Sequence, residues 1–188
     1  MKSLLAFALV LACCAMPAQA QTATVDTEAS MLEYRGRHPS HNWRGTSQQV
    51  SGEVAYDAAD PAASRIMITA PIASFDSGNG TRDANMRKLL NEPENPNVTF
   101  TSERVAVTAS STTDDGYTGT WEVAGTLDFN GQRRPLTIPV EVTVSGGQLR
   151  AVAAFPVSLT VHEVKRPKLL FVPMRDTLEM EAVIVATL

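Results

Sequence analysis

His38, His41 and His162 are the only imidazoles in the chain, and they pose the question of metal chemistry. A zinc-type site needs three or four nitrogen, sulfur or oxygen ligands converging on one point. His38 and His41 are three positions apart, and that spacing in an extended strand puts two side chains on roughly opposite faces. Pro39 could kink the chain between them, and His162 could then complete a triad, which would make a His-dependent metal enzyme. The alternative is a turn with hydrogen-bonded imidazoles beside a packed Trp43, and this is the preferred reading: no metal and no cofactor are expected. Nucleophile and phosphate signatures are missing too. Ser74 and Ser77 lie in S-x-D-S-G, which is not the frame of a nucleophile elbow, and no P-loop or dinucleotide fingerprint follows a strand. No pair of carboxylates forms an identifiable acid–base motif. Arg82 and Asp83 open a short helical run, where an acid complements the helix dipole and an arginine can remain solvated. The chain therefore reads as a binding protein and not as an enzyme.

The elements around these residues are strands. Trp121, Val123, Gly125, Leu127 and Phe129 share one face of an alternating run, with Glu122, Thr126 and Asp128 opposite. Asn130-Gly131 follows at once, the strongest short hairpin signal, because both central residues of a type I′ turn need positive φ. The return run puts Leu136, Ile138, Val140, Val142 and Val144 on one face. A third alternation runs from Leu149 to Val161 through Ala151, Ala153, Phe155, Val157 and Leu159, and a last strand covers Thr177 to Leu188. Earlier strands are expected over Ser47–Asp57, Arg65–Phe75 (stripe Ile66, Ile68, Ala70, Ile72) and Val98–Val107. Between the last two the pattern breaks into a Gly-rich turn, a polar helical run near residues 81–91, then Pro93 and Pro96. About eight or nine strands without βαβ alternation make an all-β antiparallel domain, a sandwich or a barrel. Small inward residues, Gly125, Ala151, Ala153 and Ala182, are expected to leave room along its axis.

The ends and totals bound the rest. Lys2, the apolar run Ser3–Ala15 and the small-x-small triplet Ala18-Gln19-Ala20 read as a signal peptide over residues 1–20, cleaved before Gln21. A lipoprotein anchored at Cys13 is the competing reading, and it is weakened by Leu11 two places before the cysteine. Both cysteines, Cys13 and Cys14, then leave with the signal, so an exported domain over 21–188 folds without a disulfide. Losing Lys2 moves the formal charge from −4 to −5, with charges interspersed and no basic run, which disfavours nucleic acid as a partner. The oligomeric state is left open.

Ser74, Asp76, Ser77, Gly78, Arg82, Asp83 and Met86, followed by Pro96 and Phe100, together resemble the YceI family. Gly131, Arg134, Pro135, Leu136 and Thr137 resemble that family's strand start after the hairpin. Arg166-Pro167-Lys168-Leu169-Leu170 resembles one of its later segments; the preferred reading is a bulge or loop that closes the barrel, and the alternative, from two aliphatic residues beside two cations, is a mouth in transient contact with membrane. The resemblance implies a lipocalin-like barrel of about eight strands, periplasmic or secreted, that sequesters a polyisoprenoid such as a quinone or a prenyl phosphate. The inward faces of the alternating runs supply its expected lumen lining, Ile68, Ile72, Leu127 and Phe129 with Ile138, Val140, Phe155 and Leu159, and Phe100 of the family-like segment joins them. The resemblance also implies a mouth or lid built from Trp43, Arg82, Asp83 and Met86.

Overall fold

The structure, a computed structural model, describes residues 20–169 and 171–188. The expected signal peptide up to Gln19, the Cys13 anchor and Leu170 lie outside the described residues. Ten strands form one antiparallel sheet: β1 (Gln21–Thr24), β2 (Met31–His38), β3 (His41–Ser47), β4 (Ser51–Tyr56), β5 (Arg65–Pro71), β6 (Asn97–Thr113), β7 (Gly116–Phe129), β8 (Gln132–Ser145), β9 (Gln148–Ser158) and β12 (Thr177–Thr187). Their order is β1-β4-β5-β6-β7-β8-β9-β12-β2-β3. The two-residue strands β10 (Lys168–Leu169) and β11 (Val172–Pro173) pair separately as a small hairpin. One helix, α1 (Gly80–Leu89), interrupts the strands.

The sheet curls into a lipocalin-like half-barrel, and its seam is held at isolated points. Val25 bridges to Ala186, with Asp26 N–H donating to Val185 O at 2.8 Å. Thr46 and Asp76 exchange two backbone hydrogen bonds of 2.9 and 3.0 Å. The sheet has ten strands, more than the eight or so expected, because residues 21–47 add three to the seven runs legible in the sequence. These three strands read poorly: β1 is short and polar, and β2 and β3 alternate irregularly.

Local chemistry sets the breaks. At the β7–β8 turn Asn130 and Gly131 have φ of 54° and 69°, the two positive values a type I′ hairpin requires. The run expected over Ser47–Asp57 divides, since β3 ends at Ser47 and its Oγ accepts from Gln49 N–H at 3.1 Å. The run expected over Arg65–Phe75 stops at Pro71, and Ile72–Ser74 form a 3₁₀ turn closed by Ser74 Oγ donating to Pro71 O at 2.6 Å. The Leu149–Val161 run ends at Ser158, so Leu159 stays buried but Val161 is 51% exposed. Asn79 caps α1, its side-chain oxygen accepting from Arg82 N–H at 3.0 Å.

Half of the barrel interior is solid. Tyr56 stacks on Trp121 at 6.4 Å, Tyr117 tilts against both, and Trp121 Nε1–H donates to Tyr117 Oη at 2.8 Å. Around this trio are Val123, Ile138, Val140, Val142, Leu149, Ala153 and Ala182. The expectation that small residues leave an open axis is corrected here. A Cβ on Gly125 would stand 2.2 Å from Thr101 O and 2.8 Å from Phe100 Cζ, so its space is filled by a strand backbone and a ring. Ala153 and Ala182 are buried within the cluster that holds the aromatic trio, and Ala151 packs against it. Small residues on one wall meet large ones from another, as interior packing density requires.

Candidate functional site

The other half of the barrel is hollow. A second apolar cluster of Ile72, Leu90, Leu127, Phe129, Val157, Leu159, Val164 and Met174 lies at this end, beside a cavity of about 1010 Å³ that is open on one side. The strands deliver these side chains by alternation: Leu127 and Phe129 at the end of β7, Phe155 and Val157 at the end of β9, Leu178 and Met180 at the start of β12. Helix α1 covers one flank, with Arg82, Asn85, Met86 and Leu89 on the lining.

The rim carries the polar groups: His38, His41, Arg82, Lys165, Arg166 and Lys168. Arg82 sits 5.9 Å above the Trp43 ring and makes no ion pair with any described residue, so its charge is available at the rim. Trp43 lies flat across β2 because Gly36 opposite has no side chain: a Cβ there would be 2.5 Å from the indole. Tyr34 lies over Gly45 in the same way. Burial is the main cause pushing the Tyr34 phenol up to about 12, and the negative charge of Asp83 adds to it while Arg82 opposes it.

Asp83 is buried and is not on the cavity wall; its carboxylate accepts from Ser77 Oγ–H at 2.6 Å and Ser77 N–H at 3.2 Å. With the Ser47 Oγ–Ser74 Oγ contact of 2.6 Å and the Thr46–Asp76 bridge, it fastens the Ser74–Gly78 segment to β3 and α1. These polar residues hold α1 against the seam.

The sequence-expected lumen divides in two. Ile72, Leu127, Phe129, Phe155 and Leu159 stand on the cavity wall, as do Trp43, Arg82 and Met86. Ile138 and Val140 belong instead to the packed half. Ile68 and Phe100 are cross-strand partners that lie off the wall; Ile68 packs against the solid half and Phe100 against both clusters. Seven of the nine are on strands and differ in their level along the barrel, while Ile72 and Leu159 reach the wall from just beyond strand ends. Tyr34, Val164, Lys165 and Met174 also line the cavity and were not singled out beforehand. Val164, Lys165 and Met174 are in loops, where no periodicity marks them, and Tyr34 is in the irregular β2.

The histidines follow the turn reading and not the extended-strand one. Pro39-Ser40 is a two-residue turn between β2 and β3, which makes His38 and His41 cross-strand partners, their rings 5.8 Å apart. Ser40 Oγ lies 2.8 Å from His38 Nδ1 and 2.9 Å from His41 Nδ1, and His38 Nε2 is 3.1 Å from Val172 O. His162 is not brought into this group. It is buried against Phe129 with Nδ1 2.9 Å from Ser158 O. Among the described residues, no three His, Cys, Asp or Glu side chains are grouped to hold a metal ion.

Asp176 fixes the loop that closes the rim. It accepts from Ser158 Oγ at 2.5 Å, from Thr160 N–H at 2.9 Å and from the Thr160 hydroxyl. Partial burial tends to raise its pKa, but those hydrogen bonds and the Arg166 charge outweigh it and hold the carboxyl below the usual range. A depressed folded pKa stabilises above the unfolded value, and that contribution is lost as pH falls from about 4 through the folded value. Asp176→Asn is expected to cost about 1–3 kcal/mol at neutral pH. Urea titrations should find the deficit shrinking as the pH drops below that window; a deficit constant with pH would refute the charged-acceptor role.

A curled antiparallel sheet with a one-sided apolar cavity under a short helix defines a lipocalin-like binding fold. The chain belongs to the YceI-like domain family, whose model matches residues 24–186. A UPF0312 protein of Azotobacter vinelandii is 32% identical over 126 residues, 64% of this chain and 62% of its own. One from Yersinia enterocolitica is 30% identical over 120 residues, 62% of this chain and 58% of its own. The chain thus spans about six-tenths of the length of these relatives. Among solved structures, Burkholderia cenocepacia BcnA has a TM-score of 0.75 at 22% identity, covering 87% of this chain and 99% of that one. A polyisoprenoid binding domain from Saccharophagus degradans has a TM-score of 0.68 at 13% identity, covering 90% and 99%. At these identities the likeness is one of fold.

Proposed function

We propose that the protein holds one elongated apolar lipid, a polyisoprenoid, in this cavity, and stores or carries it without chemical change. The carrying observation is the 1010 Å³ cavity with an apolar wall and a cationic rim. At roughly 30 Å³ per methylene-sized group, the share of one liquid water, that space holds about thirty chain carbons. The fold shared with a polyisoprenoid binding domain supports a prenyl chain over other lipids. Arg82, Lys165, Arg166 and Lys168 at the rim favour an anionic head, a prenyl phosphate, over a neutral quinone. The reading includes export, supported by the signal-like residues 1–20.

Affinity measured from water would mislead. Burying about thirty carbons at ~0.8 kcal/mol each gives ~24 kcal/mol, beyond the practical ceiling of binding. The lipid comes from a membrane, where most of that gain already exists. Net transfer is close to balanced, which suits a carrier or reservoir.

The test is organic extraction and mass spectrometry of protein purified from its native host, with a metal assay on the same sample. An isoprenoid at substantial occupancy is expected. Arg82→Ala should lower retention of a prenyl phosphate roughly tenfold, one charge-assisted contact's worth, and that of a quinone much less. Equal loss of both would make Arg82 a purely structural partner of Trp43. An empty protein that also takes up no isoprenoid from liposomes would sink the reading.

A further inference from the structure

The β10–β11 hairpin stands outside the main sheet and beside the cavity rim. Its base is pinned: Met174 N–H donates to Pro167 O at 3.0 Å, and His38 Nε2 lies 3.1 Å from Val172 O. Phe171 is 95% exposed and Val172 is 43% exposed, while the other aromatics among the described residues are largely covered. Val161, in the turn that also supplies Leu159 and Val164 to the cavity, is a further exposed apolar side chain at this end.

Charge is segregated to the same end. The formal charge of the chain is −4, yet residues 161–176 carry Lys165, Arg166, Lys168 and Arg175 against Glu163 and Asp176. Helix α1 adds Arg82 on the cavity lining, and its one acid, Asp83, is buried against Ser77. Lys165, Lys168 and Arg175 make no ion pair among the described residues. Two or three apolar side chains at a narrow tip are too little area for a stable protein interface, which needs about 800 Å² per partner. An aromatic tip ringed by cations matches the boundary of an anionic bilayer, where rings sit among headgroups and Lys and Arg meet phosphates.

We propose that the β10–β11 hairpin is a membrane foot: Phe171 and Val172 enter the surface of an anionic bilayer, and Lys165, Lys168 and Arg175 meet its headgroups. The cavity mouth is thereby seated on the phase that supplies its lipid. The purpose of the foot rests on the proposed lipid binding; its geometry does not.

Vesicle flotation of the full protein, with phosphatidylcholine alone or mixed with phosphatidylglycerol, tests this. Binding is expected to the mixed vesicles, to weaken with added salt, and to fall about tenfold in Phe171→Ser. Because Phe171 is off the cavity wall and almost fully exposed, Phe171→Ser should keep the wild-type Tm. Wild-type protein that floats with neither vesicle, or Phe171→Ser that floats as well as wild type, overturns the foot. Equal binding to both vesicles overturns its anionic component. Failure of the cargo reading is seen separately, as protein that floats but yields no isoprenoid on extraction.

Discussion

Leu127→Lys is expected to empty the protein of lipid while leaving it folded, whereas Ile138→Asp should unfold it. The two leucine-sized residues are on adjacent strands, both 6% exposed and both pointing inward. Leu127 stands on the cavity wall, so a lysine there can extend its ammonium into the hollow and towards the rim, where water reaches it when no lipid is bound. A bound prenyl chain would remove that water. An unpaired ammonium against hydrocarbon costs several kcal/mol, so retention should drop a hundredfold or more, taking ~3 kcal/mol as the floor. Ile138 has no such outlet. It is enclosed by the packed half, and a carboxylate there must be buried unpaired or protonated. Circular dichroism melts and lipid extraction of both variants check the pair. Leu127→Lys with wild-type lipid occupancy would move the binding site elsewhere.

Trp121→Ala should be the most destabilising neutral truncation. Trp121 is 1% exposed, stacks on Tyr56, and donates its N–H to Tyr117 Oη. Removing it opens a cavity and orphans a buried hydroxyl, at a cost of about 3–5 kcal/mol and a fall in Tm of roughly 10 °C. Lipid retention below the new Tm should persist, because Val123 and Gly125 separate Trp121 from Leu127 along β7. A loss under about 1 kcal/mol would mean that this half of the barrel is not close-packed. A lipid-free variant of otherwise normal stability would mean that the bound chain runs through the whole barrel.

Some features were open to reading because they are local. The Asn130-Gly131 hairpin depends on two adjacent residues that accept positive φ, and it forms where it reads. The helix expected near 81–91 forms over Gly80–Leu89, since its cap is one side chain three residues from the amide it accepts. The turn preferred at His38–His41 also forms, with hydrogen-bonded imidazoles beside Trp43. The strands it joins were not read, since Pro39-Ser40 turns the chain without either residue at positive φ, so no Asn or Gly marks a hairpin there.

By itself, then, the sequence determined the antiparallel all-β class, the inserted helix, the inward face of each regular strand and, through the Ser74–Phe100 residues, the YceI-like family. Only the tertiary structure decided where the interior is solid and where it is hollow. Ile138 and Leu127 carry the same pattern, an apolar side chain on the inner face of a long strand. One meets a space filled by Trp121 and its neighbours, and the other faces a cavity. Alternation along one strand reports direction, not what fills the space ahead. That depends on side chains brought from opposite walls by a register that closure of the sheet alone sets. The cationic rim has the same origin. Lys165 and Lys168, just before and at the start of β10, and Arg82 on the helix are far apart in the chain, and the curl of the sheet puts them around one opening.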